Sequence, residues 1–168
     1  MTIDSTEPTS TTTTPNWRRC EERRTPTAAS HDGNVDQKPY PTVPGELTSQ
    51  TVTSFVEETE QAYLWNRILE RERNLVYIDI MSISITDSKH TETGFVVYLV
   101  AEFGYGTDEN EDGEATVHAD GAVKTSYLVN DRFVGRVEST NWEHVVPREA
   151  ADGTVLWCLP NITDEDSA

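Results

Sequence analysis

The chain has 168 residues, a length that suits one folded domain, and its 30 acidic and 13 basic residues give a formal net charge of −17. This excess of carboxylates repels nucleic-acid phosphates and anionic lipids, so the composition argues against nucleic-acid binding. No apolar run approaches the roughly 18 residues of a membrane span, and no N-terminal apolar segment resembles a secretory signal. The sequence therefore predicts a cytoplasmic protein, with export or a cell-surface location as the alternative if the true start differs.

The acidity is concentrated downstream of residue 45. Residues 1–45 hold 6 acids and 5 bases, whereas residues 46–168 hold 24 acids and 8 bases. The first segment is rich in Thr, Ser and Pro and predicts a disordered arm, residues 46–160 predict one α+β domain, and residues 161–168 predict a solvated acidic tail. Because salt screens self-repulsion, we expect the domain to gain stability at high salt.

The first ordered element is a predicted helix that begins after Thr48. Thr48 is a good N-cap, and Leu47 and Val52 occupy the two positions of a hydrophobic staple. We expect the helix to end near Arg73-Asn74, where asparagine tolerates a left-handed turn. One face has helical spacing and predicts the buried side, whereas Glu57, Glu58, Glu60, Glu70 and Arg71 are expected mostly elsewhere. That buried face comprises Val52, Phe55, Val56, Thr59, Ala62, Tyr63, Asn66 and Leu69.

Downstream of the helix the pattern changes to a period of two and predicts strands. The first spans residues 75–86, with a phase slip that indicates a bulge near Ile80. Further strands are expected at 95–105, at 114–129 with an interruption around Asp120-Gly121, from Arg132 to Glu138, and at 154–159. Asn130-Asp131 is predicted to form a two-residue hairpin turn. The fold class is thus α+β, with one long N-terminal helix on a curved antiparallel sheet of four to five strands.

Two sets of side chains are candidate ligand sites. Asp108, Asn110 and Asp112, followed by Gly113, match the first half of a calcium-loop signature, although position twelve is Ala119 instead of a bidentate glutamate. The alternative is a solvated hairpin tip. Tyr63, Asn66 and Asp79 would line a pocket between helix and sheet, with Asp79 as a general base in a catalytic version. The alternatives are core positions for Tyr63 and Asn66 and a solvent-facing Asp79.

Other features argue against catalysis. The four histidines show no metal-ligand spacing, and no phosphate loop, nucleophile elbow or paired-acid motif is present, so we predict no catalytic residues and no cofactor. Cys20 and Cys158 are interpreted as free thiols, with a disulfide as the alternative in an exported protein. The sheet face around Tyr98 and Val100 is a candidate surface for a protein partner or a homodimer.

The order of elements resembles cystatin-like and NTF2-like folds, in which a sheet curls around one helix. Tyr40-Pro41 followed by Thr53 to Leu69 also resembles a family of uncharacterised haloarchaeal proteins, several of which are lipoprotein-like, over residues 39–160. The scarcity of lysine, at three residues against ten arginines, is similar to haloarchaeal usage. The chain departs from that family because it lacks a lipobox. We therefore expect a halophilic, non-catalytic binding or interaction domain, with an NTF2-like small-ligand pocket protein or enzyme as the alternative.

Overall fold

The computed structural model describes residues 25–27, 35–110, 112–139 and 153–159. Within these ranges one helix, α1 (Ser49–Arg71), is followed by five strands: β1 (Leu75–Thr91), β2 (Gly94–Thr107), β3 (Val117–Val129), β4 (Phe133–Glu138) and β5 (Thr154–Cys158). The strands form one sheet in the order β1-β2-β3-β4-β5, and every neighbouring pair is antiparallel. The prediction of an α+β fold with a helix packed on an antiparallel sheet is confirmed.

The start of α1 agrees with its local sequence. The Thr48 hydroxyl accepts a hydrogen bond from the Thr51 backbone N–H at 3.1 Å, and the Thr51 hydroxyl accepts one from the Thr48 N–H at 2.9 Å. This reciprocal capping box satisfies two backbone donors that the first turn leaves unpaired. The helix ends at Arg71, two residues earlier than predicted, because Glu72 is already extended. Asn74 takes the expected left-handed conformation, with φ of 57°.

The long first strand has the irregularity that its sequence predicts. The β1–β2 register shifts between Ile80 and Ser82, where the phase slip lies, and also between residues 75 and 77 and between residues 85 and 87. The predicted break in β3 at Asp120-Gly121 is absent, since β3 pairs continuously with β2. The Phe103 ring covers Gly121 so closely that an added Cβ would lie 2.5 Å from it. A neighbouring aromatic ring thus supplies the packing that glycine lacks.

The turn between β3 and β4 differs from the predicted two-residue hairpin. β3 ends at Val129 and β4 begins at Phe133, so three residues, 130–132, connect the strands. The Asn130 side-chain oxygen accepts hydrogen bonds from the backbone N–H groups of Arg132 and Phe133, each at 2.9 Å. The asparagine side chain therefore organises this turn, in the manner of an Asx-turn.

The core lies between α1 and one face of the sheet. Val52, Phe55 and Val56 of the helix pack with residues of β2 to β5, and the Phe55 and Trp157 rings are 5.0 Å apart. The opposite face is also covered at Val96, Tyr98 and Leu128, which form a separate buried cluster. Tyr98 is only 8% exposed. The face predicted as open for a partner is therefore buried at its central residue.

Residues 35–47, which the sequence interpretation placed largely in the disordered arm, lie against the helix. Val35 is buried, and Tyr40 packs edge-on against Trp157 at 6.0 Å. The Trp65 indole N–H donates to the Asp36 carbonyl at 2.8 Å. This stretch therefore packs on the domain although it precedes the predicted start at residue 46, while most of residues 1–34 fall outside the described residues. No helix in the described ranges is long and apolar enough to cross a bilayer.

Candidate functional site

A cleft of about 500 Å³ lies where the C-terminal half of α1, strand β5 and the N-terminal segment meet. The helix contributes mostly polar side chains, and β5, residues 25–27 and Tyr40 contribute the rest of the lining. The lining residues are Thr25, Pro26, Thr27, Tyr40, Tyr63, Asn66, Arg67, Glu70, Arg71, Thr154, Val155 and Leu156. The cleft is therefore concave and mainly polar.

Asn66 has a structural task at this cleft. Its amide nitrogen donates to the Lys38 carbonyl at 2.7 Å, and its oxygen accepts from the Lys38 backbone N–H at 3.1 Å. These two bonds tie the N-terminal segment to the helix at the level of the cleft. Burial raises the pKa of the adjacent Tyr40 to about 12, although a hydrogen bond with Asn66 lowers it in part. Asn66 thus pairs its polar atoms with backbone groups, as the alternative interpretation of the sequence expected.

Tyr63 forms the floor of the cleft and rests on an arginine. The Arg136 guanidinium carbon lies 3.9 Å from the Tyr63 ring centroid, and that of Arg67 lies 5.9 Å away. Cation–π contacts of this kind gain strength when the cation is desolvated, and Arg136 is only 3% exposed. Tyr63 is thus held in position from below.

Beneath Tyr63 lies a buried ion pair that the sequence interpretation missed. Glu60 is fully buried, and its two carboxylate oxygens accept from Nε and Nη2 of Arg136, each at 2.8 Å. The Tyr127 hydroxyl donates to the same carboxylate at 2.6 Å, and the Thr125 hydroxyl at 3.2 Å. Burial is the main reason that the pKa of Tyr127 is raised. The fully buried carboxylate therefore accepts four hydrogen bonds.

Glu138 connects this buried pair to the cleft surface. It accepts from Arg67 Nη1 at 2.6 Å and from Arg136 Nη1 at 3.1 Å. Burial raises the pKa of Glu138, but the hydrogen bond from Arg67 and the charge of Arg136 lower it by more, so the net shift is downward. Alternating charges thus run from Glu60 through Arg136 and Glu138 to Arg67, with no net charge.

The three residues predicted to share a pocket do not all meet. Tyr63 and Asn66 line the cleft, but Asp79 is exposed on β1, where it pairs with Gly104. The catalytic version of the pocket required Asp79 inside the cavity. The position of Asp79 matches the alternative in which it faces solvent.

The acidic loop has its own hydrogen-bonding pattern. One oxygen of the nearly buried Asp108 carboxylate accepts from the Asn110 N–H at 3.0 Å, and the other accepts from the Gly113 N–H. Asp112 accepts from the Glu114 N–H at 3.0 Å, and Asn110 is exposed. Within the described ranges no group of three His, Cys, Asp or Glu residues is placed to hold a metal. Calcium binding by Asp108, Asn110 and Asp112 stays a prediction.

Comparison with known proteins adds no relative. No family model, curated protein or solved structure matches the chain. The cleft and the network below it must therefore be interpreted from their own chemistry.

One further difference concerns the cysteines. Cys158, at the end of β5, is disulfide-bonded, which corrects the prediction of free thiols. The sequence contains one other cysteine, Cys20, which lies outside the described residues.

The residues that sequence reasoning missed are Glu60 and Arg136. Glu60 stands among exposed glutamates at positions 57 and 58, and Arg136 stands in a short apolar strand. An arginine inside an apolar strand was the one available signal, because a buried cation needs a buried anion.

Proposed function

We propose that this protein is a non-catalytic binding domain and that the cleft over Tyr63 receives a small polar ligand. The main support for this proposal is the size of the cleft, because its volume of about 500 Å³ is within the range of about 300–1,000 Å³ usual for ligand pockets. Its floor is rigid, because Tyr63 packs on Arg136 and Asn66 is bonded to the Lys38 backbone. A prearranged floor lowers the ordering cost of binding.

The chemistry near the cleft favours binding over catalysis. The carboxylates of Glu60 and Glu138 are both held by arginines, with distances of 2.6 to 3.1 Å. The pKa of Glu138 is lowered, because the hydrogen bond from Arg67 and the charge of Arg136 outweigh burial, whereas a general acid or base near neutral pH usually needs a raised carboxylate pKa. These groups are therefore suited to holding the floor in place.

The proposal also includes a more specific fold type and the kind of organism from which the protein comes. A single helix on one face of a five-stranded antiparallel meander agrees with a cystatin-like or NTF2-like arrangement. The net charge of −17 agrees with a halophilic, haloarchaeal-type protein. A protein partner on the face around Tyr98 and Val100 has less support, because Tyr98 is buried.

The disulfide supports the exported alternative for location. Disulfides persist in oxidising compartments and are rare in the cytosol. Since Cys20 is the other cysteine in the sequence, we expect a non-reducing digest to contain the Cys20 peptide linked to the Cys158 peptide. Protein from its native host that carries two reactive free thiols would contradict the exported location.

Filling the cleft tests the binding proposal. Thr154 is exposed and lines the cleft on β5, so Thr154→Trp should block it, whereas Ser84→Trp, exposed on β1, is the matched control. A library of small polar fragments would be screened by ¹H–¹⁵N correlation spectra. Fragments should shift the amides of Tyr63 and Arg67 in the wild type and in Ser84→Trp but not in Thr154→Trp. The proposal fails if no fragment shifts these amides or if Thr154→Trp responds like the wild type.

A further inference from the structure

The side chains at the mouth of the cleft carry two opposite charges on different sides. Tyr63, Arg67 and Arg71 follow one another at i, i+4 and i+8 on α1, so they form one stripe along the helix. Asn66 and Glu70 form the neighbouring stripe, nearer to Tyr40. The positive charge therefore lies on one side of the mouth and the negative charge on the other.

Only part of this charge is neutralised within the protein. Arg67 is paired with Glu138 at 2.6 Å. In contrast, among the described residues no ion pair or side-chain hydrogen bond engages Arg71 or Glu70, although both line the cleft. Arg67 and Arg71 repel each other at this spacing, and a bound carboxylate beside Arg71 would relieve that repulsion.

The Glu70 side of the mouth suits a cation. The Glu70 carboxylate lies close enough to Tyr40 that its charge contributes to the raised pKa of the Tyr40 hydroxyl. An ammonium group placed there would meet the Glu70 carboxylate beside the Tyr40 side chain. A simple anion would be repelled by Glu70, and a simple cation would be repelled by Arg71.

We infer that the ligand is a small zwitterion that carries one carboxylate and one ammonium group, the chemistry shared by free amino acids and short peptides. Its carboxylate pairs with Arg71 and its ammonium group with Glu70, while its body lies over Tyr63. This inference rests on the proposed function, because it names the ligand class of the same cleft.

Alanyl-alanine and its two blocked forms test the class. N-acetyl-alanyl-alanine lacks the ammonium group, and alanyl-alanine amide lacks the free carboxylate. Each should bind the wild type about two- to fivefold more weakly than the parent dipeptide, the range expected for one exposed charge pair. Free alanine is measured in parallel. Tighter binding of alanine indicates free amino acids as the ligands, and tighter binding of the dipeptide indicates short peptides. Dissociation constants come from amide shifts at constant salt.

Two variants assign the partners. In Arg71→Gln the dipeptide and its amide should bind equally, and in Glu70→Gln the dipeptide and its N-acetyl form should bind equally. Arg73→Gln and Glu57→Gln, both exposed and outside the cleft, should retain the wild-type ratios. The zwitterion inference is overturned if the blocked forms bind as well as the dipeptide. It is also overturned if uncharged fragments bind the cleft and zwitterions do not. In both cases the cleft still binds a ligand, so the proposed function survives. If nothing binds and Thr154→Trp changes nothing, the proposed function itself has failed.

Discussion

Removing Arg136 is the sharpest test of the buried ion pair. Arg136→Met deletes the two hydrogen bonds of 2.8 Å to Glu60, together with the bond of 3.1 Å to Glu138. The fully buried Glu60 carboxylate then keeps only the Tyr127 and Thr125 hydroxyls. Breaking a buried pair by removing one partner costs about 3–5 kcal/mol of unfolding free energy. Domains of this size have about 5–15 kcal/mol in total, so the loss is a large share.

The double variant separates the charge from the packing. Glu60→Met with Arg136→Met leaves no unpaired charge, but it removes the acceptor for the Tyr127 hydroxyl, which costs about 1–3 kcal/mol. We therefore expect the double variant to be no less stable than Arg136→Met alone, with a coupling energy of about 3 kcal/mol.

Urea unfolding at a fixed, molar potassium chloride concentration gives these free energies without changing the ionic strength. Arg73→Met, at an exposed site, is the control and should lie within about 0.5 kcal/mol of the wild type. If Arg136→Met costs less than about 1 kcal/mol, or if the costs of Arg136→Met and of Glu60→Met alone simply add up to that of the double variant, the pair does not stabilise the fold as described.

Three other predictions concern pH, salt and the acidic loop. The pKa of Glu138 is lowered in the folded protein from its ordinary 4.5, so its contribution to stability is present above that value and is lost as pH falls through the folded pKa. The unfolding free energy of the wild type and Glu138→Gln should thus converge in acid, and a constant difference down to full protonation would contradict this assignment. The net charge of −17 predicts that stability falls as potassium chloride is reduced from molar to millimolar, which thermal unfolding would disprove by remaining level or rising. Asp108→Ala should destabilise the protein by about 1–3 kcal/mol in the absence of calcium, because it removes the carboxylate that accepts from the Asn110 and Gly113 N–H groups. A loss that appears only when calcium is present would instead support the cation site.

The parts of the fold that sequence predicted well are those decided by near neighbours. The helix start at Thr48 depends on residues within three positions, and the β1 bulge near Ile80 is visible as a change of phase within one strand. The left-handed Asn74 follows from the tolerance of asparagine for that conformation.

Prediction failed where a distant partner decides the outcome. Glu60 stands in a run of glutamates typical of a solvent-facing helix surface, and its buried partners are distant in sequence, with Arg136 lying 76 residues later. Residues 35–45 have the composition of a disordered arm, yet Asn66 supplies the hydrogen bonds that hold Lys38 on the helix. The break expected at Gly121 is absent because Phe103, on the neighbouring strand, covers that glycine. Of the three residues in the predicted site, Tyr63 and Asn66 line the cleft, whereas Asp79 is exposed on β1 outside it.

The Glu60–Arg136 pair also affects the position of α1 along the sheet. An apolar stripe alone would tolerate a slide of the helix by one turn, since leucine and valine side chains replace one another at modest cost. A one-turn slide moves Glu60 by about 5.4 Å, which would separate it from Arg136 and leave two charges buried without partners. We therefore expect the pair to fix a single position of α1 on the sheet. The double methionine variant should show doubled or broadened amide signals from α1 even where its stability is retained. A single sharp set of signals from that variant would mean that apolar packing alone fixes the position of α1 on the sheet.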